Sequence, residues 1–169
     1  MKKNNKGVTL IALVVTIIIL LIIASIAVGA GKGTIKKAKL ENLKTNMLLI
    51  QAKSKEYVEE AGFKIGTNTE DTEKVNNARQ EVYTTNAQLG EKLTSSQIPS
   101  QFNITDSDTN PCYFLTDDAK KSWGLEKIEI EDDEKYMIQF NEKEETVEVY
   151  NTIGYNGKYK LSEIEQIEE

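Results

Sequence analysis

The spacing of apolar residues changes several times along this chain of 169 residues. From Val8 to Ala30 nearly every position is apolar; Thr9, Thr16 and Ser25 carry the only hydroxyls, and no side chain is charged. At about 1.5 Å per residue the run makes roughly 34 Å of helix, enough for a hydrocarbon core of about 30 Å. Thr16 and Ser25 can return their hydroxyls to the carbonyl one turn earlier, so neither opposes a membrane span. From Ile35 to Ala61 the spacing becomes that of an amphipathic helix. Leu40, Leu43, Met47, Ile50, Tyr57 and Ala61 follow steps of three, four or seven, while lysines and glutamates fill the other sides. With no Pro between the two segments, one helix from Val8 to Ala61 is predicted, and Gly62 is expected to end it.

Beyond Gly62 the pattern weakens. Asn68, Thr69 and Asp71 mark a loop. Val75, Ala78, Val82, Leu89 and Leu93 predict one or two short helices with a break at Thr84–Asn86. The C-terminal part is clearer. Tyr113-Phe114-Leu115 is a short apolar run, Thr116 reads as the N-cap of a brief helix to Trp123, and Gly124 reads as its stop. Ile128 and Ile130 alternate in the manner of a strand. Tyr136, Ile138 and Phe140, then Val147 and Val149, alternate on either side of Asn141–Glu145 and predict an antiparallel hairpin. Asn156-Gly157 predicts a tight turn between Tyr155 and Tyr159 with a further edge strand. The expected fold is α+β: a long N-terminal helix, half membrane-spanning and half amphipathic, packed on a small C-terminal antiparallel sheet. The segments are 1–7, a basic leader; 8–30, the apolar helix; 31–61, its amphipathic continuation; 62–112, a connecting region; and 113–169, the sheet region.

Composition removes most chemistry. There is no His, which excludes Ser-His-Asp and Cys-His catalysis and His-ligated zinc. A single cysteine, Cys112, allows no intramolecular disulfide and reads as a buried thiol. Charge divides the chain: residues 1–33 hold Lys2, Lys3, Lys6 and Lys32 with no acid, and the rest holds 17 basic against 27 acidic residues. An acidic body does not bind nucleic acid through its phosphates. Lys2, Lys3 and Lys6 precede the apolar run, and the positive-inside rule then keeps that end cytoplasmic and exports the body.

Candidate sites are few. Gly29-Ala30-Gly31-Lys32-Gly33-Thr34 looks like the end of a phosphate-binding loop, but the first Gly of that motif is missing, Gly33 stands where Ser or Thr is needed, and no strand precedes it. Ser25, Gly29 and Gly33 recur every four residues and offer a narrow face for close helix packing. Asp106, Asp108, Asn110 and Asp117 match oxygen-ligand positions 1, 3, 5 and 12 of a calcium loop. Pro111 replaces the needed Gly and no helix precedes Asp106, which excludes an EF-hand; a looser calcium site and a plain Asp/Asn turn both stay open, and no other cofactor is implied. Glu131–Glu134 and Glu142, Glu144 and Glu145 read as solvated charge at strand ends. Tyr150, Tyr155 and Tyr159 read as half-buried strand residues.

Lys6-Gly7-Val8-Thr9-Leu10-Ile11-Ala12-Leu13 resembles the processing signal of type IV pilins and type II secretion pseudopilins, in which a short basic leader ends in Gly before an apolar helix. The resemblance implies a non-enzymatic subunit cut by a prepilin peptidase between Gly7 and Val8 and methylated at Val8. Lys2, Lys3, Lys6, Thr9, Leu10 and Ile11 would then be read by the peptidase. It further implies a single-pass membrane precursor with an exported C-terminal domain, later part of an extracellular filament. The implied partners are other pilin or pseudopilin subunits and an assembly platform protein. Ala12 departs from the pattern: the family usually has Glu there, paired with a neighbour's N-terminal amine. Its loss is associated with tip or initiator subunits, which makes a minor or tip subunit one reading and a filament subunit that does without the Glu another. The alternative reading is a solitary signal-anchored domain that binds a ligand outside the membrane.

Overall fold

The computed structural model describes residues 6–67, 69–104, 110–141 and 144–167, with side chains described at Ile17 and from Gly33 onward. The chain divides into two compact units, Met1–Glu41 and Asn42–Glu169. Helix α1, Lys6–Ile65, is continuous through 60 residues, about 90 Å by rise. Both prolines lie far beyond it, so nothing in its sequence removes a backbone donor. In the first unit the structure shows this helix alone, with residues 33–39 exposed. Among the described residues no helix is long and apolar enough to cross a membrane. The side chains of the apolar run, Ile17 apart, lie outside the described residues.

The helix runs four residues further than the sequence suggests. Gly62 lies inside it, with nothing within 4 Å of where a Cβ would stand. The stop is Gly66, at φ +62°, whose N–H donates to the Gly62 carbonyl at 3.0 Å. A glycine ends a helix only where the chain needs the left-handed conformation, and the chain needs it at Gly66.

Helix α2, Thr72–Glu81, starts at Asp71, whose carboxylate accepts from the Lys74 N–H at 3.2 Å. It passes into a π-helical turn, Val82–Asn86, that buries Val82 and Tyr83. No second helix follows: Gln88 and Gly90 take positive φ, and the chain continues in extended and turn conformations apart from one 3-10 turn, Ser100–Phe102. Leu89 and Leu93 are buried without being helical.

The sheet has four antiparallel strands in chain order: β1, Cys112–Phe114; β2, Tyr136–Asn141; β3, Thr146–Tyr155; and β4, Lys158–Lys160. Helix α3, Asp117–Ser122, follows β1; Thr116 Oγ1 accepts from the Ala119 N–H at 3.0 Å, and Gly124 closes it at φ +69°. Ile128 and Ile130 are not in a strand. Ile128 donates its N–H to Leu125 in a turn, and an alternation of two residues is too short to specify pairing. The β2–β3 hairpin and the Asn156-Gly157 turn form as predicted, the latter with both residues at positive φ as a type I′ turn requires.

Both faces of the sheet are buried. Tyr113, Ile138 and Val149 lie in register on one face, with Phe140 and Val147 beside them. On that side Tyr83 stacks on Phe140 at 4.0 Å between centroids, and α1 donates from Gln51 Nε2 to the Val147 carbonyl at 2.9 Å. The opposite face presents Cys112, Met137 and Tyr150, which cluster with Leu93, Ile98 and Phe102 of the connecting region. A short helix, α4, Leu161–Ile164, completes the unit with Leu161 and Ile164 fully buried.

The β3–β4 corner is built by a side chain. Asn151 is fully buried; its Oδ1 accepts from the N–H groups of Ile153 and Gly154 at 3.0 and 2.7 Å, and its Nδ2 donates to Glu134 Oε1 at 2.6 Å. Gly154, at φ +63°, has the Lys158 carbonyl oxygen 2.2 Å from where a Cβ would stand. Two glycines therefore give opposite results in a fragment spanning residues 34–169. Gly62→Ala should stabilise it by about 0.5–1 kcal/mol, the helix cost of glycine. Gly154→Ala should destabilise it by at least about 1–3 kcal/mol through strain and overlap. Urea denaturation measures both; equal effects would reject these two environments.

Candidate assembly and processing site

Gly7, Val8, Thr9, Leu10, Ile11 and Ala12 are consecutive helical positions in α1, and Lys6 is its first residue. Their side chains, and Lys2 and Lys3 entirely, lie outside the described residues. Ser25, Gly29 and Gly33 fall on one face of the same helix by their spacing. Gly33 is exposed, and among the described residues nothing beyond its chain neighbours and its own helix backbone lies within 4 Å of a Cβ built there.

Within the second unit α1 is fixed by packing and by hydrogen bonds to residues far along the chain. Met47 and Ile50 are fully buried and Leu43 nearly so. Lys44 Nζ donates to the Ile167 carbonyl at 3.1 Å, Asn46 Nδ2 to the Tyr136 hydroxyl at 3.4 Å, and Gln51 to Val147 as described. Ser54, also fully buried, returns its hydroxyl to the Ile50 carbonyl at 2.8 Å and so needs no other partner. Tyr57 meets Trp123 at 5.2 Å between centroids, and Trp123 Nε1 donates to the Ala87 carbonyl at 3.1 Å. At the helix end Asn86 bonds Glu60 and Lys64 pairs with Glu81. The polar residues on α1 thus fix where along the sheet its apolar stripe sits.

The described residues include two of the four calcium candidates. Asp106 and Asp108 lie outside them. Asn110 lies just before β1, where its carbonyl accepts from Cys112 Sγ at 3.7 Å. Asp117 opens α3, and its exposed carboxylate pairs with Lys120 Nζ at 2.9 Å; the hydrogen bond and charge of Lys120 hold it below the usual carboxylate range. Among the described residues no three Asp, Glu or Cys gather to hold a metal. Glu131, Asp132 and Asp133 are exposed, while Glu134 is spent on Asn151.

Sequence reasoning passed over one feature. An open cleft of about 420 Å³ lies between the end of α1, helix α2 and Glu145, lined by Val58, Ile65, Val75, Arg79 and Tyr83. Arg79 is the only arginine in the chain, and that rarity was the available signal.

Residues 2–28 match the family model described as the prokaryotic N-terminal methylation motif. No curated protein and no solved structure matches the chain.

The buried tyrosines of β2 and β3 make the body sensitive to alkali. Burial raises the titration of Tyr136 and Tyr150 well above the ordinary tyrosine range, and the nearby carboxylates of Glu134 and Glu148 add to it. Unfolding frees both to ionise near pH 10, so their contribution is complete below that pH and falls as pH rises above it. Denaturation midpoints between pH 8 and 12 should be flat below about 10 and then decline. Tyr136→Phe should weaken the decline, and an unchanged slope would reject the assignment.

Proposed function

We propose that this chain, which carries the N-terminal methylation motif of type IV pilins and pseudopilins at residues 2–28, is a pilin-like structural subunit of a type IV filament or a type II secretion pseudopilus. That motif is the observation that carries the reading. A prepilin peptidase removes residues 1–7 and methylates the new N-terminus at Val8. Val8–Ala30 holds the precursor in the membrane as a single pass, with the acidic body on the exported side. After assembly the same segment joins the filament core, and the partners are other subunits and a platform protein. The lack of His and the burial of the single cysteine accord with a protein that works by packing.

Position 12 refines the role. A carboxylate in the membrane is costly unless paired, so the usual Glu drives docking beside a neighbour's amine. Ala12 supplies neither cost nor attraction. The subunit then sits at a tip or in a low-copy position, or joins through apolar packing and the Ser25–Gly29–Gly33 face. The cleft between α1 and α2 supports a second reading, a solitary signal-anchored domain that binds a ligand outside the membrane.

Two experiments separate these readings. Co-expressed with a prepilin peptidase, the chain should lose residues 1–7 and begin with methylated Val8, as read by intact mass and N-terminal sequencing. Gly7→Leu should block the cut and leave insertion intact; a wild-type chain that stays uncut turns the assignment to the anchored domain. Immunogold labelling of sheared filaments should mark ends or sparse points if Ala12 defines a tip or low-copy subunit. Dense labelling along the filament would reject that position.

A further inference from the structure

The apolar run ends at Ala30, and the same helix continues directly into a cluster of lysines. Lys32, Lys36, Lys37 and Lys39 follow within nine residues, and no acid appears before Glu41. The backbone of α1 is unbroken here, so position follows from rise alone: Lys32 lies about 3 Å and Lys39 about 13 Å beyond Ala30. The headgroup layer on one side of a bilayer is roughly 5–7 Å deep. Lysine stems extend along apolar surface while their ammonium groups seek polar surroundings, so a lysine at any of these four helix positions has the length to reach that layer. Residues 33–39 are exposed without exception, Lys36, Lys37 and Lys39 among them. Steps of four and three place Lys32, Lys36 and Lys39 on one face, with Lys37 about 100° round from Lys36.

We propose that Lys32, Lys36, Lys37 and Lys39 form a collar that binds the phosphate groups of anionic phospholipids where α1 leaves the bilayer. Clustered lysines next to a span are attracted to anionic lipid, and the attraction is screened by salt. The occupant follows from charge sign and from the point at which the apolar run ends. The inference rests on the membrane-anchored reading of Val8–Ala30.

The test uses the full chain reconstituted in phosphatidylcholine vesicles with trace spin-labelled phosphatidylglycerol or phosphatidylcholine. The motionally restricted fraction of each label gives the selectivity. Phosphatidylglycerol should be favoured at least threefold at low salt, and the preference should approach unity in 0.5 M NaCl, as order-of-magnitude expectations for four lysines at the surface. Changing Lys32, Lys36, Lys37 and Lys39 together to Gln should remove most of it. Changing all four to Arg should keep it, and changing Lys2, Lys3 and Lys6 to Gln should leave most in place. Gln, Lys and Arg have similar helix propensity, so α1 is retained in each variant. Vesicle flotation at alkaline pH checks insertion separately: a chain that does not float defeats the membrane reading itself. An inserted chain without lipid preference, or a preference unchanged in the Gln variant, overturns the collar. Salt-sensitive self-association in pure phosphatidylcholine that the Gln variant abolishes would overturn it in favour of the acidic surface of a second copy.

Discussion

Strand β2 has no face it can leave in water. Tyr136, Met137, Ile138 and Phe140 are all buried, and their directions alternate between the two sides of the sheet. A strand of this kind needs two covers, and the rest of the second unit is arranged to supply them. Helix α1 and Tyr83 close one side; Leu93, Ile98 and Phe102 close the other. The segment between α2 and β1 is therefore structural although it is mostly irregular. Its backbone also serves the edge: the Leu93 N–H donates to the Cys112 carbonyl at 2.8 Å, which occupies part of the outer side of β1.

The two units differ in charge as well as in build. The exposed end of the first is basic through Lys36, Lys37 and Lys39, whereas the exposed turns of the second carry Glu131, Asp132, Asp133, Glu144 and Glu145. In the second unit the polar groups that matter most are those removed from water. Asn151 closes the β3–β4 corner with three hydrogen bonds, and loss of any one would leave part of its own buried amide unsatisfied. Asn46 and Gln51 hold α1 in register without belonging to its apolar stripe.

Much of this was legible because local signals were strong. Thr116 and Gly124 bracket α3, Asn156-Gly157 fixes the final hairpin, and the alternation on either side of Asn141–Glu145 gives β2 and β3. The misses have physical causes. Gly62 and Gly66 are the same residue type, and only φ distinguishes the helical one from the stop. Leu89 and Leu93 sit four apart as in a helix, yet Gly90 between them turns the chain. The second cover was invisible because it depends on which loop reaches Met137 and Tyr150, a tertiary fact. The methylation motif at residues 2–28 was readable from the leader and apolar run alone. Lysines flank the apolar run on both sides, Lys2, Lys3 and Lys6 before it and Lys32, Lys36, Lys37 and Lys39 after it, so the lysine count alone does not fix orientation. The orientation proposed rests on the methylation motif instead.

The hydrogen bonds that fix α1 join residues far apart in the chain: Asn46 and Tyr136 are separated by 90 positions, Gln51 and Val147 by 96, and Lys44 and Ile167 by 123. The helix is made first and its partners last. At about 5–20 residues per second of synthesis, Met47 and Ile50 wait roughly 5–25 seconds before β2, β3 and the C-terminus emerge. Helix α1 forms far faster than that, so until β2 and β3 arrive Met47 and Ile50 have no sheet to pack on. Neighbouring chains at the same stage carry the same stripe. Exposed apolar surface of this kind favours association between unfinished chains, so the order of elements makes the interval before the last strand the vulnerable one.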